Sequence, residues 1–322
     1  MNAFVTGASG FVGGHLSAAL VKRGGVVRGL VRRLVPASGP GVEYVQADLA
    51  DIGRLVEACR GAEWVFHCAA ALGASRLGVE GFRAVNVEGT RTLLEAARKA
   101  GVRRVVHFSS AGVLGHVKEG RAADETHPLD PRDAYDLTKL EGERLALEAA
   151  GRGLEVVVIR PGWVYGPGDR RTFKLVRAVA RRRFALVGRG RTLQTPVYID
   201  DLVEGTVRAA EKGRPGEIYN LAGPEVLTVR EISDGIAQAA GVKAARLRLP
   251  LASARAAAWV LDGLFRPFKK EAPLNPSRLA FFVHPKPLDI AKARRELDYA
   301  PGVSFKDGMA RAVAWYRQAG WL

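Results

Sequence analysis

The sequence predicts an α/β protein: a doubly wound parallel sheet with a smaller C-terminal substrate domain. Three observations predict it. Short β-branched runs alternate with longer segments of helical periodicity, as βαβ units do. A glycine triplet, Gly7, Gly10 and Gly13, stands between the first such run and the first helical segment. The 322 residues suffice for one large sheet domain and a satellite.

Strands are expected at 3–7 (AFVTG), 26–31 (VVRGLV), 42–47 (VEYVQA), 64–69 (WVFHCA), 104–110 (RVVHFSS) and 155–160 (EVVVIR). Each is a β-branched or aromatic run bounded by turn residues. Between them, GGHLSAALVKRG, IGRLVEACR, VNVEGTRTLLEAARKAG and DLTKLEGERLALEAAG repeat apolar residues at three- and four-residue steps, and several end at glycine. The segments 195–213 and 216–223 read as a late return to the sheet. The sheet domain is therefore drawn as 1–165 with 195–223, and the substrate domain as 166–194 and 224–322. The substrate domain is placed at the carboxyl ends of the strands, where this architecture binds ligands.

Composition narrows the function classes. Nearly half the residues are apolar and a quarter charged, as in a soluble globular chain. No run has the roughly 18 apolar residues of a membrane span, and the opening MNAFVTGASG has no signal-peptide pattern. Cys59 and Cys68 suggest neither a disulfide framework nor a metal site, which fits a reduced cytoplasm. His67, inside an apolar strand, reads as a packed residue. The net charge of +16 comes from arginines spread along the chain, with one dense run at 180–184. No zinc-finger or RNA-recognition pattern accompanies it, so nucleic acid is not the expected partner.

The glycine triplet has the spacing G-x-x-G-x-x-G at the first strand-to-helix turn. Glycine there permits a tight turn and close approach of the backbone to a pyrophosphate, and the helix N-terminus offers N–H donors. This makes the sheet domain a Rossmann-type dinucleotide-binding domain. The second strand ends in GLVRR, where an acidic residue would hold the adenosine ribose. Arg32 and Arg33 stand there instead and suit a 2′-phosphate, favouring NADP(H), with NAD(H) possible. Asp48, after the third strand, is placed to reach the adenine amino group or to cap a helix. Tyr135 and Lys139 lie four residues apart on one predicted helix, so both head groups can meet one bound molecule.

TGASGFVGGHL, ADLAD, VFHCAA, NVEGT, HFSSAGVLG, YDLTK, RPGWVYGPG and VYIDD occur in an order that resembles the extended short-chain dehydrogenase/reductases. The resemblance covers nearly the whole chain. It implies a Rossmann fold, a nicotinamide cofactor and a Ser-Tyr-Lys catalytic set, here Ser110, Tyr135 and Lys139. Tyr135 would exchange a proton with the substrate oxygen, its pKa lowered by a nearby ammonium and the oxidised nicotinamide. Lys139 would also bond the nicotinamide ribose, and Ser110 would polarise the carbonyl. Asn86 would support the nicotinamide half or cap a helix, and Pro161 and Gly162 would pass near the carboxamide. The same resemblance assigns cofactor contacts to Ser9, Phe11, Val12, Leu49, Ala69, Ala70 and Ser109. It assigns substrate contacts to Ala71, Leu72, Ala111, Trp163 and Arg278. Family members often dimerise through helices corresponding to about 82–100 and 132–150.

Within that family, sugar-nucleotide members typically carry asparagine where this chain has Trp163, and an arginine near the place of Gln194 and Thr195. Arg189, Arg191 or Arg278 would have to substitute for it. Trp163 suits stacking on a ring or filling the core. Dehydratases have an acidic pair beside the serine, which SSAGVLG lacks. The segment 275–301 resembles 3β-hydroxysteroid dehydrogenases, and GLVRR resembles dihydroflavonol-4-reductases. Both point to a keto/hydroxyl oxidoreductase acting on a fairly apolar molecule. The alternatives are an NAD-dependent nucleotide-sugar 4-epimerase and a non-catalytic NADP(H)-binding scaffold or sensor.

Finally, residues 253–270 place Ala254, Ala257, Ala258, Leu261, Leu264, Phe265 and Phe268 on one apolar helix face, with Pro267 ending the helix. The face belongs either to the core of the substrate domain or to a flap. In the second case its basic end, Arg266, Lys269 and Lys270, would touch a membrane surface.

Overall fold

Consecutive residues of a strand point to opposite faces of the sheet, so a strand covered on both faces must be apolar throughout. The strands of this chain meet that demand. In the computed structural model, which describes residues 1–33, 41–72, 77–118, 120–244, 247–265, 272 and 274–322, Phe4, Val65, Val105 and Val156 feed one buried core. Their neighbours Val5, Phe66, Val106 and Val157 feed the other.

The elements run β1 (Asn2–Thr6), α1 (Phe11–Lys22), β2 (Val26–Val31), β3 (Val42–Gln46), α2 (Ile52–Cys59), β4 (Trp64–His67) and α3 (Val79–Arg83). A π-helical turn, Ala84–Glu88, leads from α3 into α4 (Gly89–Lys99), followed by β5 (Arg104–Phe108) and a short 3₁₀ turn, Ala111–Leu114. Then come α5 (Ala134–Gly151), β6 (Glu155–Pro161), β7 (Trp163–Tyr165), α6 (Arg170–Ala180), β8 (Leu186–Val187), β9 (Leu193–Gln194), β10 (Pro196–Tyr198), α7 (Ile199–Lys212) and β11 (Ile218–Leu221). The chain ends with β12 (Leu227–Thr228), α8 (Val229–Ala240), β13 (Arg248–Leu249), α9 (Leu251–Phe265), α10 (Pro276–Val283), α11 (Ala291–Leu297) and α12 (Phe305–Gln318).

The main sheet has seven strands in the order β3-β2-β1-β4-β5-β6-β11, and every pair in it is parallel. The order reverses between β1 and β4, the switch point at which such sheets open a crevice at their carboxyl ends. The register aligns that edge: Thr6 pairs with His67, His67 with His107, and Phe108 with Ile159. The residues after β1, β4, β5 and β6 therefore emerge side by side.

The glycine loop fits this crossing. Gly7 has φ +69°, and a Cβ there would lie 2.9 Å from Ala69 N. A Cβ at Gly13 would lie 2.3 Å from the Gly7 carbonyl oxygen. The first turn of α1 is thus packed directly on the loop's own backbone.

Three expectations need correction. The strand expected at 64–69 stops at His67 and that at 104–110 stops at Phe108, so Ala69, Ser109 and Ser110 belong to the loops of the carboxyl edge. Of the late return, β11 alone joins the main sheet. β10 pairs with β7 in a separate two-stranded sheet. On α9, the fully buried residues are Ala254 and Ala258, packed with Val187 and Leu279. Leu264, placed on the inward face by periodicity, is 60% exposed. Phe268 and the residues Arg266, Pro267, Lys269 and Lys270 lie outside the described residues.

Because the Gly13 contact is with backbone, the clash cannot be relieved by a side-chain rotation. Gly13→Ala is expected to lower stability by about 1–3 kcal/mol, the usual cost of overpacking, and to abolish nicotinamide nucleotide binding. Thermal melts and nucleotide titration would check both. An unchanged affinity would mean that the loop does not carry the nucleotide.

Candidate active site

The helix that holds the Tyr-Lys pair begins at a well-made cap. Asp133 accepts a hydrogen bond from Asp136 N at 2.8 Å, and Ala134–Gly151 follow as α5. Tyr135 and Lys139 share one face, turned toward the ends of β5 and β6. Lys139 is buried, and its Nζ donates to the Phe108 carbonyl. Ser110, at the start of the 3₁₀ turn, accepts from Gly112 N at 3.0 Å and shares a side-chain hydrogen bond with Tyr135. Since Ser110 Oγ already accepts, its own proton is the one left to give. The three residues named from sequence are thus brought together at the carboxyl edge of the sheet.

A fourth residue on the same helix face went unnoticed in the sequence. Glu143, one turn beyond Lys139, is 1% exposed. It accepts from Ser109 Oγ at 2.5 Å and from Arg160 Nε and Nη2 at 3.0 and 2.6 Å. Arg160 is equally buried and also donates to the Glu125 carbonyl at 3.2 Å. One carboxylate of α5 therefore ties down the chain after β5 and the end of β6. The signal was present in YDLTKLEGE, where Tyr135, Lys139 and Glu143 recur every four residues, a spacing that keeps them on one face. Ser109, assigned to the cofactor, gives its hydroxyl to this network.

On the other side of Lys139 a buried polar chain joins β1, β4 and the π-helical turn. Ala69 N donates to Thr6 Oγ1 at 3.2 Å, and Thr6 Oγ1 meets His67 Nδ1 at 2.8 Å. His67 Nε2 meets Thr90 Oγ1 at 2.9 Å, and Thr90 donates to the Asn86 carbonyl at 2.8 Å. With Thr90 donating onward, His67 must donate from Nε2 and accept at Nδ1. Burial, with the Lys139 ammonium nearby, pushes His67 down to about 3, so it is neutral. It is a packed residue, as its strand position predicts. Asn86 is no helix cap: it sits inside the π-helical turn. Its side chain accepts from Ala71 N at 2.7 Å and donates to the Ala71 carbonyl and to Thr138 Oγ1.

The groups named for a dinucleotide line the same edge. Ser9, Gly10, Phe11, Gly14, His15 and Gly168 border a groove of about 390 Å³. Val12 is half-buried beside it. Arg32 and Arg33 are both exposed just past the end of β2. Asp48 is exposed and accepts from Ala50 N at 2.9 Å, while the cap of α2 is Asp51. The helix-cap alternative for Asp48 therefore fails, because Asp51 holds that position. Leu49, Ala70, Pro161 and Gly162 are part-exposed around the opening. A glycine cradle too tight for a Cβ at Gly7 and Gly13, a helix N-terminus and two exposed arginines suit a phosphorylated dinucleotide.

The substrate residues fare unevenly. Leu72 is exposed, whereas Ala71 and Ala111 are 8% and 7% exposed and offer little surface. Trp163 packs among rings, 5.0 Å from Phe281, 5.9 Å from Tyr165 and 6.2 Å from Phe305 between centroids. It packs between elements and remains part-exposed. The side chain of Arg278, on α10, lies outside the described residues. Gln194 Nε2 donates to the carbonyls of Phe281 and His284, and Thr195 Oγ1 accepts from Leu288 N at 2.8 Å. The segment they hold is joined to the loop after the 3₁₀ turn by Val117 N to the Pro285 carbonyl. Lys286 Nζ stands 3.7 Å from Asp136 Oδ2, beside Tyr135.

The lowering of the Tyr135 pKa is expected with an oxidised nicotinamide bound; the protein alone sets it the other way. Burial raises it, and the cation that opposes the rise is Arg171 of α6, with help from the Ser110 hydrogen bond. Lys139 does not serve that purpose because its amine is turned to Phe108 and Glu143. Burial in turn pushes Lys139 down to about 8, against the pull of Glu143.

Residues 3–222 match the family model for the NAD dependent epimerase/dehydratase family. The chain is 36% identical over 317 residues to a 4-hydroxy-2-methyl-3-oxo-4-farnesyl-3,4-dihydroquinoline-1-oxide ketoreductase of Stigmatella aurantiaca, covering 96% of this chain and 95% of the relative. It is 33% identical to a 3β-hydroxysteroid dehydrogenase/Δ5→4-isomerase of Mycobacterium tuberculosis, covering 97% and 89%. Among solved structures, a dTDP-glucose 4,6-dehydratase of Streptomyces venezuelae with NAD bound superposes with a TM-score of 0.79 at 29% identity, covering 100% of this chain and 98% of that one.

The buried Glu143–Arg160 pair generates a stability expectation. Glu143→Leu strands a buried guanidinium and should cost about 3–5 kcal/mol, whereas Glu143→Leu/Arg160→Met should recover much of that loss. Urea unfolding of the wild type, both single variants and the double variant measures it. Additive losses would show that the two groups do not act as a pair.

Proposed function

The chain belongs to the NAD-dependent epimerase/dehydratase family, that of the extended short-chain dehydrogenase/reductases, and we propose that it interconverts a ketone and a secondary alcohol on a fairly apolar small molecule, using NADP(H). The observation that carries this reading is the convergence of Ser110, Tyr135 and Lys139 at the carboxyl edge of β5. A hydroxyl with a proton to give stands there beside a phenol, with an amine one helical turn further on.

Gly7, Gly10 and the start of α1 would hold the pyrophosphate, Arg32 and Arg33 the 2′-phosphate, and Lys139 the nicotinamide ribose. Bound there, the nicotinamide supplies or accepts the hydride. The protein's own part is to place the carbonyl and move a proton. Ser110 donates to the carbonyl oxygen, which draws electron density away from the carbon under attack. Tyr135 then gives its phenolic proton to the developing alkoxide. A raised phenol pKa keeps that proton in place at neutral pH, which favours the reductive direction. Asn86 and Glu143 touch neither substrate nor reacting atoms in this scheme; they position Ala71, Thr138 and the ends of β5 and β6.

The preference for an apolar substrate over a sugar nucleotide rests on Gln194 and Thr195. They occupy the place of the arginine expected in sugar-nucleotide enzymes, and both are buried and engaged with the 281–288 segment. The names of the quinoline-oxide ketoreductase and the hydroxysteroid dehydrogenase agree in direction. The dehydratase neighbour shows that the same scaffold serves sugar chemistry elsewhere.

Tyr135→Phe is expected to lower turnover by at least ~100-fold while leaving NADPH affinity nearly unchanged. In the wild type, reductive kcat/KM should hold below pH about 8 and fall above it, as Lys139 loses the proton that burial has loosened. A Tyr135→Phe enzyme of near-normal activity would refute the assignment.

For the cofactor, Arg32→Asp removes a charge-assisted hydrogen bond and adds repulsion toward a phosphate. NADPH affinity should drop far more than NADH affinity in parallel titrations. Equal losses would mean that Arg32 does not read the phosphate.

A further inference from the structure

A helix that is apolar all the way round is normally buried on all sides. α9 is largely apolar, yet only one of its sides is buried. Its sequence, LASARAAAWVLDGLF, contains Arg255 and Asp262 as its charged residues. One side packs through Ala254 and Ala258. On the opposite side Trp259 is 75% exposed, and Val260 and Leu264 are each 60% exposed. At 3.6 residues per turn these three share a sector of roughly 140° with Ala252, Ser253, Ala256 and Gly263, which are also exposed. Among the described residues nothing covers this face. Leu247, just ahead in the chain, is 65% exposed and extends the apolar surface. Single exposed leucines are ordinary, but a continuous strip headed by a tryptophan marks a contact surface.

Charge selects the occupant. The chain carries a net charge of +16. Arg255 borders the strip and is exposed. A second copy of this chain would bring the same positive charge to the contact, whereas an anionic surface would neutralise it. Fifteen residues are too few to cross a bilayer, and no described helix is long and apolar enough to do so. An apolar face with an exposed tryptophan and a bordering arginine suits the plane of the lipid headgroups.

The geometry of the neighbourhood gives the contact a purpose. Between α9 and α10 lies a cavity of about 190 Å³ lined by Arg255, Ala258, Trp259, Leu279, Val283 and His284. Trp259 belongs to both the cavity wall and the exposed strip. His284 opens the segment that continues to Lys286 and Asp136, next to Tyr135. We propose that the Trp259–Val260–Leu264 face of α9 rests in the headgroup region of an anionic bilayer and sets the α9–α10 cavity against the lipid. The inference stands independently of the reaction assigned above, since it requires no turnover.

The test is co-sedimentation of the full chain with phosphatidylcholine vesicles, with and without phosphatidylglycerol, at low and high salt. The wild type should bind the anionic vesicles, bind less at high salt, and show a blue shift of tryptophan emission. Trp259→Ser/Leu264→Ser should bind at least ~10-fold more weakly, with melting temperature and NADPH affinity unchanged. Val260→Ser/Leu264→Ser, which keeps the indole, should lose affinity as well. Absence of wild-type binding at low salt, or unchanged binding by both variants, would overturn the proposal. So would a change from dimer to monomer caused by these substitutions, because the face would then belong to self-association.

Discussion

A carboxylate buried at 1% exposure must be paired, and much of the candidate site depends on how Glu143 is paired. Its oxygens take hydrogen bonds from Ser109 and Arg160, on the chain following β5 and on β6. The effect is to lock α5 in rotation and translation against the carboxyl edge of the sheet. Once α5 is locked, Lys139 meets the Phe108 carbonyl and Tyr135 lies against Ser110. A helix held only by apolar contacts can slide to a nearby packing of similar energy. A charged, directional contact admits one arrangement.

The second support is the chain from Ala69 through Thr6, His67 and Thr90 to Asn86, and from Asn86 to Ala71 and Thr138. It crosses the switch point of the sheet, where the glycine loop passes over the end of β4. Lys139 lies between these two polar systems. Desolvation loosens its proton, while Glu143 holds that proton on. The residues proposed for catalysis and the buried polar groups therefore share one region. The apolar cores on both faces of the sheet supply the rigid frame.

The frame was legible in the sequence because each strand announces itself by a continuous apolar run that must be covered on both faces. The ends of β4 and β5 were read two residues too long, since Cys68, Ala69, Ser109 and Ser110 are apolar or small and do not mark a boundary. The small sheets formed by β7 to β10, β12 and β13 had no readable signal at two or three residues each. Tyr135, Lys139 and Ser110 are legible through motif order, whereas nothing in the sequence pairs Glu143 with Arg160 until the fold brings them together. Spacing along a helix does not show where an amine turns, and that of Lys139 meets the Phe108 carbonyl. For Trp163 and α9 the sequence leaves two readings open. Trp163 is wrapped by Phe281, Tyr165 and Phe305, and α9 leaves Trp259 and Leu264 in the open. Periodicity identifies an apolar face but not what covers it.

If the site belongs to a reductase, hydride must leave the carrier and stay on the product. In an epimerase it returns to the same molecule. The most direct measurement is incubation of the purified chain with NADPH deuterated at the transferable position, a panel of apolar ketones and a UDP-sugar, followed by mass analysis of products and nucleotide. The expected result is a secondary alcohol carrying one deuterium at the carbinol carbon, with one NADP⁺ formed per alcohol. A UDP-sugar epimer formed without net oxidation of nucleotide, and no labelled alcohol from any ketone, would contradict it.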